Sequence, residues 1–265
     1  GSGIVEEVGA GVRKVKKGDH VVLHWMKGSG IESDPPRFNG GKISAGWVTT
    51  FSNYTIVSEN RIIKIPDSIP FEIASLLGCA VTTGLGIVFN NADLKPGQSI
   101  IIFGCGGVGL NVIQGANLVN AYPIVAVDIK EIKLKMAEKF GAHQTIQMNE
   151  PHIVKGFDVA VDTTGIKSVR EMAYNSAKKV IFAGVPLANE KIEIDSYPIH
   201  AGRQIIGSHG GSTNPDVDIP RYLKLYELGK LKLDEQITHR FPLEEINEAI
   251  EVVKKGEIGR CLIWM

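Results

Sequence analysis

From Gly97 onward the chain alternates short, wholly apolar runs with stretches of helical period. Ile100-Ile101-Ile102-Phe103 and Ile124-Val125-Ala126-Val127 have no polar position at all, as expected of strands buried on both faces. Between them Val108, Val112, Ile113, Ala116 and Val119 recur at helical spacing. After the second run Ile129, Ile132, Met136, Ala137 and Phe140 do the same, with Gly141 as a stop. Three further short runs follow at Val159-Ala160-Val161, Val180-Ile181-Phe182-Ala183 and Ile205-Ile206. Strand alternating with helix is the order that builds a parallel, doubly wound α/β sheet.

The two ends read differently. The first 65 residues are β-rich, with strands over Ile4-Val5-Glu6-Glu7-Val8-Gly9 and His20-Val21-Val22-Leu23-His24-Trp25, separated by a tight turn at Lys17-Gly18-Asp19. Residues 27–42 hold Gly, Ser, Pro and Asn and read as a loop, residues 47–57 alternate weakly as another strand, and a helix follows over 71–77. Near the end, residues 219–228 and 243–253 have helical character, and Cys261-Leu262-Ile263-Trp264-Met265 is a closing apolar strand. The crossover between Ile146 and Phe157, with Pro151 in its middle, is expected to be short or irregular.

Composition narrows the function classes. With 43% hydrophobic residues, 265 positions suffice for two modest domains or one large one. Lys plus Arg and Asp plus Glu number 29 each, with no basic stripe, which argues against a nucleic-acid partner. No apolar run approaches the roughly 20 residues of a membrane helix. Cys79, Cys105 and Cys261 are odd in number and far apart, so no disulfide framework is expected and a reducing cytoplasm fits.

The candidate chemistry lies in Gly104-Cys105-Gly106-Gly107-Val108-Gly109, spaced G-x-G-x-x-G between a buried strand and a helix. Gly104 allows a tight turn, Gly106 lets backbone approach a pyrophosphate, and Gly109 lets helix and strand pack closely. The N–H groups and dipole of the helix favour phosphate charge. Asp128 closes the second strand 19 residues after Gly109, where a carboxylate accepts from ribose hydroxyls and repels a 2′-phosphate, favouring NAD over NADP. Lys130 and Lys133 follow, and either is placed for a ribose or a phosphate. The plainer alternatives are a glycine turn without a ligand and a solvated acid at a strand end.

These residues resemble the medium-chain dehydrogenase/reductase superfamily, in particular zinc-dependent alcohol dehydrogenases. The likeness runs through Gly3-Ile4-Val5-Glu6-Glu7-Val8-Gly9, Lys17-Gly18-Asp19, Leu77-Gly78-Cys79-Ala80-Val81-Thr82-Thr83-Gly84, the glycine loop with Asp128, and Gly256-Glu257-Ile258-Gly259-Arg260. It implies a split, GroES-like catalytic domain over residues 1–82 and 210–265 around an NAD-binding Rossmann domain over 83–209. It also implies a catalytic zinc, with Cys79 as one ligand and a Cys and a His expected in a segment before Gly1. His20, His24 and His209 are the imidazoles that could substitute, and each also reads as an ordinary strand or loop residue. Loop 27–42 has no cysteine, so a structural zinc is not expected.

The resemblance places Thr83 near the nicotinamide and Trp25 in the substrate pocket. Val108 falls behind the nicotinamide, Thr163, Gly184 and Val185 in cofactor loops, and Arg260 at the pyrophosphate. Without the likeness, Thr83 and Val108 read as packing and Arg260 as a surface charge. Three readings compete: a zinc-dependent NAD alcohol dehydrogenase acting on an alcohol, aldehyde or ketone; a zinc-free reductase of the same superfamily; and a nucleotide-binding protein without catalysis. For these 265 residues taken literally, cofactor binding with little alcohol oxidation is expected. Family members pair as homodimers or homotetramers, for which the apolar stretch from Val185 to Ile194 is the candidate contact.

Overall fold

A computed structural model describes residues 1–35, 47–148, 154–256 and 259–265. The chain divides into two compact units, Gly1–Thr82 with Thr213–Met265, and Thr83–Ser212.

The first unit opens on an antiparallel sheet, β1 (Ser2–Ile4), β2 (His20–Leu23) and β3 (Ile62–Lys64), with β2 in the middle. The first strand is shorter than the sequence suggested and begins earlier. It gives way where the Val5 N–H bonds the Asp19 carbonyl and the Gly18 N–H returns to Val5. Gly18 has φ +86°, the left-handed conformation that the Lys17-Gly18-Asp19 turn requires. Val5, Val15, Val21, Leu23 and Ile62 form the core, with Val12, Val48 and Val57 against it. Glu59 fixes the loops around this sheet. Its carboxylate accepts the backbone N–H groups of Arg13 and Lys14 (2.6 Å each) and Ile31 (2.9 Å), which hold its pKa below the usual carboxylate range.

Residues 47–57 do not form the expected strand. Val48 and Val57 pack inward, but Phe51, Tyr54 and Ile56 stay exposed. The weak alternation there supplies no continuous buried face, so nothing fixes a register. Of the expected loop 27–42, residues 27–35 are irregular and 36–42 lie outside the described residues. Helices α1 (Phe71–Leu76) and α2 (Ala80–Gly86) follow, the latter running into a wider helical turn over Ile87–Ala92.

The second unit is a six-stranded, all-parallel sheet. Its elements are β4 (Ile100–Phe103), α3 (Gly107–Leu118), β5 (Ile124–Asp128), α4 (Glu131–Lys139), β6 (Gln144–Gln147), β7 (Phe157–Asp162), α5 (Lys167–Ser176), β8 (Ala177–Phe182), α6 (Tyr197–His200) and β9 (Gln204–Gly207). The strand order is β6-β5-β4-β7-β8-β9, the doubly wound sheet expected from the alternation. The apolar runs have a physical reason. Ile100 and Ile102 enter the core on one face, while Ile101 and Phe103 enter the core on the other. Ile124 and Ala126 divide from Val125 and Val127 in the same way.

The chain reverses its direction of sheet-building between β4 and β7, so a crevice opens beyond the carboxyl ends of those strands. The expected irregular crossover falls on 147–156, of which 149–153 lie outside the described residues; residues 154–156 are irregular. The apolar stretch after β8 divides: Val185 and Leu187 are exposed, whereas Ile192 and Ile194 pack on the core.

The chain returns to the first unit with α7 (Pro215–Glu227), β10 (Ile237–Pro242), α8 (Ile246–Lys255) and β11 (Arg260–Trp264), β10 and β11 pairing in parallel. Gly256 ends α8 at φ +69°. Among the described residues no helix is long and apolar enough to cross a membrane.

Candidate functional site

In the second unit the turn between β4 and α3 is built by its glycines. Gly104 has φ +91°, and its N–H bonds the Val127 carbonyl at 2.8 Å. A Cβ on Gly109 would run into the carbonyl oxygen of Gly104, so only hydrogen fits where the helix crosses the strand end. Gly106 differs: it is extended, at φ −77° and ψ −167°, and a Cβ there would meet nothing within 4 Å. The protein itself has no need of a glycine at 106. Open space in front of a backbone position is what a ligand's close approach requires. Gly107 and Val108 begin the 12-residue helix α3, whose N-terminus has no side-chain cap and no acid in its first turn. Its first N–H groups are left for an anion.

Asp128 ends β5 beside this turn. Its Oδ2 accepts the Cys105 N–H at 2.8 Å and its Oδ1 accepts the Lys130 N–H at 2.9 Å. The acid therefore fixes the glycine loop as well as presenting a carboxylate at the strand tip, a tie that spacing alone did not reveal. Lys133 is half-buried in the first turn of α4. Cys105 is buried, and burial together with the Asp128 charge pushes its thiol up to about 12, so it is unreactive at neutral pH.

Across β4 the loops after β7 and β8 complete the edge. The Thr163 hydroxyl reaches the carbonyls of Phe103 and Gly104, both at 3.0 Å. A Cβ on Gly184 would strike the backbone of Gly165, so the two loops lie backbone to backbone. Val185 is 89% exposed. Asp162 falls in the stretch Val161-Asp162-Thr163-Thr164-Gly165, which the resemblance places at the cofactor without giving this acid a role of its own; it is wholly buried at the end of β7 and bonds both loops. Thr83 is buried in α2, next to Gly84, where a Cβ would lie 2.6 Å from the carbonyl oxygen of Val108. Thr83 and Val108 thus belong to two helices in close contact.

The remaining candidates belong to the first unit. Trp25, Phe71, Cys79, Arg260 and Trp264 line an open groove of about 1820 Å3. The Trp25 carbonyl accepts from the Arg61 guanidinium. Arg260 is the first residue of β11, and its buried Nε has no hydrogen-bond partner among the described residues. Cys79 is exposed. Both nitrogens of the buried His24 are engaged: Nδ1 accepts the Met26 N–H (3.0 Å), which leaves Nε2–H to donate to the Thr82 hydroxyl (3.0 Å). That hydroxyl donates to the Cys79 carbonyl at 2.8 Å. His24 is therefore a strut beneath the Cys79 turn and not a stand-in ligand. Among the described residues no three His, Cys, Asp or Glu side chains come together as a metal site. A lone thiol does not meet the donor count of a zinc centre, so the residues described do not fit that metal.

Residues 1–67 match the family model described as alcohol dehydrogenase GroES-like domain, and residues 107–227 match the one described as zinc-binding dehydrogenase. The chain is 32% identical to alcohol dehydrogenase class-3 of Cereibacter sphaeroides, over 99% of its own length and 83% of the relative's. It is 33% identical to S-(hydroxymethyl)glutathione dehydrogenase of Saccharomyces cerevisiae, over 99% and 80%. The first alignment runs to 311 positions against a chain of 265 residues, so that relative carries internal stretches that this chain lacks. Among solved structures, benzyl alcohol dehydrogenase from Acinetobacter calcoaceticus superposes with a TM-score of 0.86 at 25% identity, over 99% of this chain and 82% of that one. On these grounds the chain is an alcohol dehydrogenase-like enzyme and belongs to the zinc-dependent medium-chain dehydrogenase/reductase superfamily.

Proposed function

We propose that this chain binds NAD(H) in its second unit and serves hydride transfer between that cofactor and a small alcohol or the matching aldehyde or ketone. The observation that carries the reading is Gly106: a glycine in a conformation open to any residue, facing empty space, at the uncapped start of α3. The N–H groups of Gly107 and Val108 would hold the pyrophosphate, and the α3 dipole would add to them. The Asp128 carboxylate, already oriented by two backbone N–H groups, would accept from the adenosine ribose. The loops carrying Thr163, Gly184 and Val185 would hold the other half. A nicotinamide bound there supplies the hydride acceptor or donor. Cys79 as a zinc ligand belongs to the resemblance alone, and the role assigned to this chain's residues is to bind and orient the cofactor.

Asp128 also carries the preference for NAD. Asp128→Ser is expected to weaken NADH binding about tenfold, the equivalent of about one good hydrogen bond to a charged acceptor. NADPH, no longer repelled at its 2′-phosphate, should gain relative to it. Parallel fluorescence titrations with NADH and NADPH check this. An unchanged ratio of the two affinities would show that Asp128 does not face the ribose.

A further inference from the structure

Resting on the cofactor reading above, we infer that Asp162 is a positioning residue for the nicotinamide half of the dinucleotide. It is the last residue of β7, paired with Phe103 of β4 on one side and Phe182 of β8 on the other. Its Oδ1 accepts the N–H of Thr164 (2.9 Å) and the hydroxyl of Thr164 (2.7 Å), and its Oδ2 accepts the Gly165 N–H (3.2 Å). Its own carbonyl accepts the N–H groups of Ala183 and Gly184, both at 2.9 Å. One buried residue thus holds the loops that leave β7 and β8.

Those loops have no slack. Gly165 is left-handed at φ +75°, and a side chain on Gly165 or Gly184 would collide with the backbone of the opposite loop. A shift at 164–165 is therefore passed to 184–185. Among the described residues, the groups that the Asp162 carboxylate binds, on Thr164 and Gly165, lie at the carboxyl edge of the sheet, where a doubly wound fold places its dinucleotide. The adenosine side, across β4, is held by a separate set of bonds, from Asp128 to the N–H groups of Cys105 and Lys130. The two sets share no hydrogen-bonding group, so their effects should separate.

The test compares two ligands on the full chain: NADH, and ADP-ribose, which lacks the nicotinamide. In Asp162→Asn an amide must replace one carboxyl oxygen, setting a donor against a backbone or hydroxyl donor. NADH binding is expected to weaken about tenfold or more, with loss of the blue shift in its bound emission. ADP-ribose binding is expected to stay within about twofold of the parent. Equal loss of both ligands in a protein that melts like the parent, or no loss of either, would overturn the inference. Should Asp162→Asn fail to fold, Thr164→Val decides the matter, because it removes the hydroxyl bond to Asp162 together with the one that the hydroxyl accepts from the Ile166 N–H (3.1 Å), and leaves the backbone bonds to the carboxylate in place: a smaller loss confined to NADH supports the inference, and an equal or absent effect refutes it. Failure of the parent chain to bind either ligand would instead bring down the cofactor reading itself.

Discussion

Gly106→Ala is expected to fold as well as the parent and to lose NADH affinity about a hundredfold or more. Its φ of −77° and ψ of −167° suit any residue, and the added methyl meets nothing within 4 Å. Replacing glycine at a compatible position narrows the unfolded ensemble, so stability should hold or rise by up to about 1 kcal/mol. The methyl would occupy the space that a pyrophosphate must enter, and loss of that close approach together with its charge-assisted bonds gives the affinity change. Gly109→Ala should behave in the opposite way, because its methyl would be driven into the Gly104 carbonyl. It should destabilise the unit by about 2 kcal/mol or more through overpacking alone. Thermal melts beside NADH titrations separate the two variants. Normal NADH binding by Gly106→Ala would mean that the space before α3 has another purpose.

Acid should weaken the first unit through His24. Burial is the largest cause of its depressed pKa, lowered to about 4, and the nearby positive charge of Arg61 adds to it. Above the ordinary histidine value of about 6.5 both folded and unfolded states keep the ring neutral, so pH has no effect through this group. As pH falls from there to about 4, the unfolded chain takes up a proton that the folded one refuses, and stability declines by about 3 kcal/mol in all. Below that window the loss levels off. Urea midpoints at neutral and mildly acid pH should show this decline in the parent. In His24→Leu, which leaves Thr82 without its donor, stability should be lower at neutral pH and flatter with acid. An identical acid slope in both proteins would assign the titration to another group.

The elements and the site differ in how plainly the sequence shows them. The central strands were legible because burial on two faces leaves no polar position, as at Ile100–Phe103. The edge strand β6, Gln144–Gln147, was not, because its polar residues face water. Nor was β10, whose Thr238, His239 and Arg240 hide its pairing with β11. Residues 47–57 erred the other way: their apolar side chains alternate without a face to bury. At the site, the glycine spacing pointed to a turn and a ligand, while the difference between Gly106 and Gly109 lies in what surrounds each in three dimensions, which spacing does not carry. Asp162 left only a faint signal, an acid closing an apolar run just before Thr-Thr-Gly. His24 looked like a spare imidazole until its two hydrogen bonds showed both nitrogens occupied.

The turn from Gly104 to Gly109, with Asp128 beside it, is the proposed seat for NAD(H). Titrating the folded chain with NADH while following cofactor fluorescence tests it most directly. A saturable, blue-shifted signal that ADP-ribose competes away is the expected result. A cooperatively folded protein that gives no signal, and no heat on mixing in a calorimeter, would contradict it.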